Sequence, residues 1–225
     1  MPLAFIGLSP VPSAAAHLGH RGSLDSYSDN WSGYEVYGNT DAFTSVAATF
    51  TLPAVTCTGD GDASFWVGLD GAGNDTVEQI GASSDCSGTT PVYEAWWEMF
   101  PGGAVLTGGA IAPGDVFNAK VTYDGSGNYT LYLQDETEGW TSNQTETNSS
   151  APDDTAEVIC ESAGDTSDPV PQFDPVTMSG SRVNRRYLGS ESPTAVDLSR
   201  NGDTLVTPGA IDSSGDFAFT WQAAS

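Results

Sequence analysis

From residue 29 onward the chain is written in short runs of alternating apolar and polar residues, each closed by Gly, Pro, Asn, Asp or Ser. No stretch carries the three-to-four spacing of an amphipathic helix. A period of two is the signature of strands whose successive side chains point to opposite faces. The alternation predicts strands over 30–37, 43–52, 64–70, 76–80, 92–100, 104–111, 116–123, 129–134, 156–161, 173–183, 204–208 and 216–222. The run Asp124-Gly-Ser-Gly-Asn128 is a hairpin turn between two of them. The polar stretch 141–154, with acceptor sequons at Asn143 and Asn148, reads as a surface loop, as does 164–171. So many antiparallel strands in 225 residues imply two stacked sheets in one domain, 29–225.

Within this pattern, residues 64–81 break the rule that one face of a strand is apolar. Phe65, Val67 and Leu69 share a core face, whereas Trp66, Gly68 and Asp70 put an indole, bare backbone and a carboxylate on the other. Beyond a glycine-rich turn at 71–74 the return strand places Val77 and Gln79 on one face and Glu78 and Ile80 on the opposite one. Two more strands carry acids in mid-run, where acids are disfavoured. Glu94, Trp96 and Glu98 alternate with a core set of Tyr93, Ala95, Trp97 and Met99, and Glu157, Ile159 and Glu161 alternate with Ala156, Val158 and Cys160. Taken singly each acid suits a solvated face. Together with Gln79, Asp70 and Trp66 they suit the floor of a polar cleft.

Charge narrows the partners. A net charge of -24 repels nucleic-acid phosphates and anionic membrane surfaces, so neither is expected as a partner. Lys120 is the only lysine. Such a balance suits strong salt, which screens the charge, or acid, which removes it, and composition does not separate the two. Residues 1–28 hold an apolar run followed by Ala14, Ala15 and Ala16, resembling a secretory leader without its basic start, and no later run reaches the roughly 20 residues of a membrane span. A secreted, extracellular protein is therefore expected, and in that compartment two of the three cysteines should pair. Cys57 and Cys86 flank the 64–81 stretch and would staple its base, leaving Cys160 as a small buried thiol.

Five runs in order, Asn30-Trp-Ser-Gly33, Trp66-Val-Gly-Leu-Asp-Gly71, Val77-Glu-Gln-Ile-Gly81, Tyr93-Glu-Ala-Trp-Trp-Glu98 with Pro101, and Ala156-Glu-Val-Ile-Cys-Glu161, resemble the eqolisins, or glutamic peptidases. The resemblance covers roughly 29–219. It implies a lectin-like, concanavalin-type sandwich of two antiparallel sheets. It also implies cleavage of proteins in acid by a catalytic pair, without metal or other cofactor. The pair falls on Gln79 and Glu161, not Glu157; Trp66, Asp70 and Glu98 fall on positions that shape or support the cleft, with Glu94 and Trp96 beside them. The partners implied are protein or peptide substrates, met by a monomer.

The residue types fit that chemistry. In acid a histidine base is permanently protonated, and His17 and His20 lie in the leader, so a carboxyl must move the proton. Ionised, Glu161 would take a proton from water and return it to the leaving amine, while the Gln79 amide, which does not titrate, holds the water and polarises the carbonyl. Two alternatives use the same residues. A jelly-roll glycoside hydrolase would set the carboxyls Glu94 and Glu98 about a sugar linkage on Trp96 as a platform. A non-catalytic carbohydrate-binding module would need only the aromatics.

Overall fold

The computed structural model describes residues 26–164 and 168–224. Its first half contains β1 (Ser26–Ser28), β2 (Trp31–Tyr37), β3 (Ser45–Thr51), β4 (Val55–Thr56), β5 (Ser64–Leu69), β6 (Val77–Ser87), β7 (Thr90–Phe100), β8 (Val105–Leu106) and β9 (Val116–Tyr123). The second half adds β10 (Asn128–Asp135), β11 (Trp140–Thr147), β12 (Thr155–Glu161), β13 (Gln172–Phe173), β14 (Val176–Val183), β15 (Arg186–Tyr187), β16 (Thr194–Arg200), β17 (Asp203–Pro208) and β18 (Phe217–Trp221). The only helical element among the described residues is a single 3-10 turn at Leu188–Glu191. The expected leader lies outside the described residues except for its last three, which belong to the fold as β1, paired parallel to β16.

Two layers result. One runs β8-β7-β6-β5-β12-β2-β16-β17-β18 and the other β11-β10-β9-β3-β14. β14 belongs to both: Val176–Met178 pair with β18 and Ser179–Val183 with β3, the latter ladder broken by an irregularity between Ser179 and Arg182. Such a bulge bends a strand and lets one strand pass between layers. Between the layers Phe65, Val67, Leu69 and Ile80 meet Phe50, Phe117, Leu131 and Leu133, with ring centroids 6.3 Å apart for Phe50–Phe65 and 5.6 Å for Phe50–Phe117. Each such side chain contributes about 1.5–3 kcal/mol by leaving water. The second layer keeps the expected alternation, as in β10, where Tyr129, Leu131, Leu133 and Asp135 are buried and their neighbours are not. The first layer departs from it. Every residue of β5 and β12 is buried, although no second sheet covers their other face.

Several elements differ from the alternation, and the strand expected at 173–183 is split at Asp174-Pro175 into β13, which pairs with β4, and β14. The strand expected at 104–111 is only β8, because Gly108 and Gly109 interrupt the run. The polar stretch expected as a loop from 141 to 154 begins as β11, an edge strand pairing only with β10, and an edge tolerates polar residues on both faces. β6 runs on to Ser87, seven residues past the expected end, and β16 had no apolar signal strong enough to register.

The Cys57–Cys86 disulfide is present and Cys160 is a free, buried thiol. The bridge joins the segment after β4 to the far end of β6, over a separation of 29 residues. Closing a loop of that length stabilises the fold by about 3–4 kcal/mol in the chain-entropy model. Replacing both cysteines by serine should lower the unfolding free energy by about that amount in urea titration; an unchanged midpoint would show that the bridge constrains nothing.

Candidate active site

The outer face of the first layer is a register grid. Across β7, β6, β5, β12 and β2 one row reads Glu98, Gln79, Gly68, Glu157, Glu35; the next Trp96, Gly81, Trp66, Ile159, Gly33; the third Glu94, Ser83, Ser64, Glu161, Trp31. Strand pairing alone therefore brings Trp66, Gln79, Glu94, Trp96, Glu98 and Glu161 to one face. The face is dry because Trp31, Trp66, Trp96, Val77, Ala72 and Ile159 pack on it as a second apolar cluster.

Trp66 is its centre. The glycines of the grid make room for the ring: a Cβ at Gly68 would stand 2.9 Å from Trp66 Cζ3 and 3.3 Å from Gln79 Cβ, and one at Gly81 would stand 2.6 Å from Trp66 Cβ. The indole lies along the sheet with its six-membered ring over Gly68, beside Gln79. Its other edge donates from Nε1 to Glu161 Oε2 at 2.9 Å. Trp31 meets it edge-on, with centroids 5.0 Å apart. Gln79 and Glu161 thus stand diagonally across one ring, 1% and 2% exposed.

Each member of the pair has a further partner. Gln79 Nε2 donates to Glu98 Oε2 at 2.6 Å, while Gln79 Oε1 and Glu98 Oε1 make no hydrogen bond. Asn30 Nδ2 donates to Glu161 Oε1 at 3.1 Å. Trp96 Nε1 donates to Ser83 Oγ at 2.8 Å, and Ser83 and Ser64 share a hydrogen bond of 2.7 Å. Trp96 is therefore 5% exposed and edge-bound, not the open platform that a sugar-binding reading needs. Glu94, at the end of the third row, is half-buried.

Asp70 is elsewhere. Strand alternation put it beside Trp66, but β5 stops at Leu69 and Asp70 has φ +65°, so its carboxyl leaves the cleft face. There it accepts the backbone N–H groups of Asp153 and Asp154, each at 3.0 Å, and Asn74 Nδ2 at 3.1 Å, tying the 71–74 turn to the chain before β12. Beside it is a set of acids that residue types alone did not single out. Glu78 accepts from Asn148 Nδ2 at 2.9 Å, and Tyr129 O–H donates to Asp153 Oδ1 at 2.7 Å. The parity that placed Glu78 with Ile80 on the face opposite Gln79 was the available signal. Asn30 and Trp31 were visible only as part of a motif.

Burial sets the electrostatics. It pushes Glu161 up to about 8, against hydrogen bonds from Trp31 and Trp66 and with the charge of Glu98 adding to it. It pushes Glu98 up to about 7, against the Gln79 hydrogen bond. Burial likewise raises Glu78 to about 8, Asp153 to about 7 and Asp70 to about 6, and holds Glu157 well above the usual range. Among the described residues, no group of His, Cys, Asp and Glu is arranged to hold a metal ion.

A family model for the Peptidase A4 family matches residues 29–221. The chain belongs to this family, the eqolisins. It is a hydrolase of peptide bonds. Its fold is similar to scytalido-glutamic peptidase solved with a transition state analog inhibitor, at a TM-score of 0.74, 21% identity, and coverage of 86% of this chain and 98% of that one. It is similar to SCP-B, an eqolisin in complex with the tripeptide Ala-Ile-His, at 0.68 and 20%, covering 86% and 98%. It is also similar to aspergilloglutamic peptidase from Aspergillus niger, at 0.59 and 20%, covering 72% and 99%. No curated protein sequence matches the chain.

The raised carboxyls have a thermodynamic consequence. In the unfolded chain these groups titrate near 4. Between that pH and the folded values of about 6 to 8 the folded state binds more protons, so stability is full below about pH 4 and is lost as pH rises through that window. The melting temperature in dilute buffer should fall from pH 4 to pH 8, and Glu78→Gln should flatten the decline. Because these groups are buried, molar salt should restore only part of it. A melting temperature that rises with pH over this range would contradict the assignment.

Proposed function

We propose that this chain is a secreted acid endopeptidase that opens peptide bonds with one water molecule, the Gln79 amide and the Glu161 carboxyl. The observation that carries the reading is the placement of these two groups on either side of the Trp66 indole, on a dry sheet face, in a member of a peptidase family. The relatives solved with a peptide-based transition state analog and with Ala-Ile-His are consistent with an extended peptide as ligand. The Cys57–Cys86 bridge supports an oxidising compartment, and among the described residues no helix is long and apolar enough to cross a membrane. The molecule acts as a monomer.

The protonation state differs from the simplest carboxylate scheme. With its titration near 8, Glu161 enters the reaction in acid as a neutral carboxyl. Burial of this kind is how a carboxyl is kept as a proton donor. As the water oxygen bonds to the carbonyl carbon, the Glu161 O–H proton passes to the carbonyl oxygen while its other oxygen takes a proton from the water, leaving a neutral diol and a neutral carboxyl. The same exchange then delivers the Glu161 proton to the leaving nitrogen and takes one from a diol hydroxyl as the C–N bond breaks, so the carboxyl ends as it began. Gln79 donates an N–H to the carbonyl oxygen as negative charge builds there, and Glu98 holds the amide in place for that role. Losing one such donor costs about 3 kcal/mol of transition-state stabilisation, or a factor of about 100.

Glu161→Gln and Gln79→Ala should each lower kcat at least about 100-fold on a denatured protein at pH 4 while melting like the parent. Glu157→Gln should keep most activity, because Glu157 is fully buried and lies two rows along the grid from Glu161. The kcat/KM profile should be flat through acid and fall on the alkaline side as Glu161 loses its proton. A Glu161→Gln protein with the parent's rate would end this reading.

A further inference from the structure

The partner of Glu161 Oε1, Asn30, lies between β1 and β2 and is 4% exposed. Nothing in the proposed chemistry requires it, yet its amide has only one orientation available. Ser28 Oγ accepts the backbone N–H groups of Trp31 at 2.9 Å and of Asn30 at 3.3 Å, so its own proton is free to go elsewhere, to Asn30 Oδ1 at 2.9 Å. With Oδ1 taken by a hydroxyl donor, Nδ2 is the end turned to Glu161. The backbone repeats the attachment. Asn30 O accepts the N–H of Ser162, the residue after Glu161, at 2.9 Å. Arg200 then donates to Asp29 O at 2.6 Å and to Ser162 Oγ at 2.9 Å, bracketing both segments.

We infer that Ser28 and Asn30 are positioning residues for Glu161, a two-step hydrogen-bond relay that commits Oε1 to a fixed donor and aims the carboxyl along the Trp66 indole toward Gln79. The inference rests on the reading of Glu161 as the proton-transfer group. A purely structural tie would already be met by the bonds from Ser162 and Arg200 to this segment. The side-chain relay adds only one thing to them, control of a carboxyl 131 residues away.

The relay also bears on when Glu161 gives up its proton. An N–H donated to a carboxyl favours the anion, so Asn30 opposes the effect of burial. Acting on the same carboxyl are Glu98 from β7, Asp62 from the segment before β5, and the indoles of Trp31 and Trp66; the Cys160 thiol is its neighbour on β12. Arg200 reaches this region through Ser162.

Three variants test the relay beside Glu161→Gln, each read by kcat, KM, the pH profile of kcat/KM and melting temperature. Asn30→Ala should lower kcat about 10- to 100-fold with KM little changed. It should also move the alkaline limb up by about one pH unit. Ser28→Ala should do the same to a smaller degree. Asn30→Asp should recover activity in acid, where a protonated carboxyl can donate to Oε1, and lose it at lower pH than the parent because two carboxyls then share one proton. Should Asn30→Ala fail to fold, the other two carry the test. Parent-like kcat and an unmoved limb in the folded variants, with Glu161→Gln inactive, would overturn the relay alone. Equal losses in all three with no pH shift would reduce it to a structural tie. An active Glu161→Gln would overturn the underlying reading instead.

Discussion

The structure depends on keeping carboxyl groups in a dry interior without charge. Asp70, Glu78, Glu98, Asp153, Glu157 and Glu161 are all buried, and burial disfavours the ionised form of each. Glu78, Asp153, Asp70 and Glu98 accept hydrogen bonds from Asn148, Tyr129, Asn74 and Gln79, donors that favour the anion, and burial outweighs them in each case. The stability of the sandwich and the chemistry of the cleft therefore draw on one physical effect. The acid that suits the proposed reaction also keeps these groups neutral.

The cleft is a by-product of strand pairing. A grid of five strands places a residue every two positions along the strand and every strand across it, and two glycines in that grid, Gly68 and Gly81, leave space for the Trp66 side chain. Trp66 then supplies at once the cover over β5, a donor to Glu161 and a wall beside Gln79. This explains why β5 and β12 are buried on both faces with only one sheet beneath them. It also separates the two ends of the β5–β6 connection. Asp70, turned away by its left-handed backbone, secures the loop, and the acids on the outer face are left to the cleft.

The alternation of short runs was enough to place most strands, to assign Phe65, Val67 and Leu69 inward and Trp66 outward, and to mark Gln79, Glu98 and Glu161 as sharing one face, because the period of two is a local property of extended backbone. The cysteine spacing was enough to suggest the Cys57–Cys86 bridge. Local pattern failed where the cause was not local. β11 is polar yet a strand because it lies at an edge, and Asp70 leaves its expected face because the strand ends one residue before it. Glu78 carried the right parity, but its acid partners come from 75 residues further along the chain and from the other side of a turn. Composition and order of residues thus determined the class of fold and the faces, and the resemblance of the motifs to a family pointed to the candidate pair. Which oxygen of Glu161 meets Asn30, and how strongly each carboxyl holds its proton, were decided by the tertiary structure, since burial and hydrogen bonding across 131 residues arise only when the sheets close.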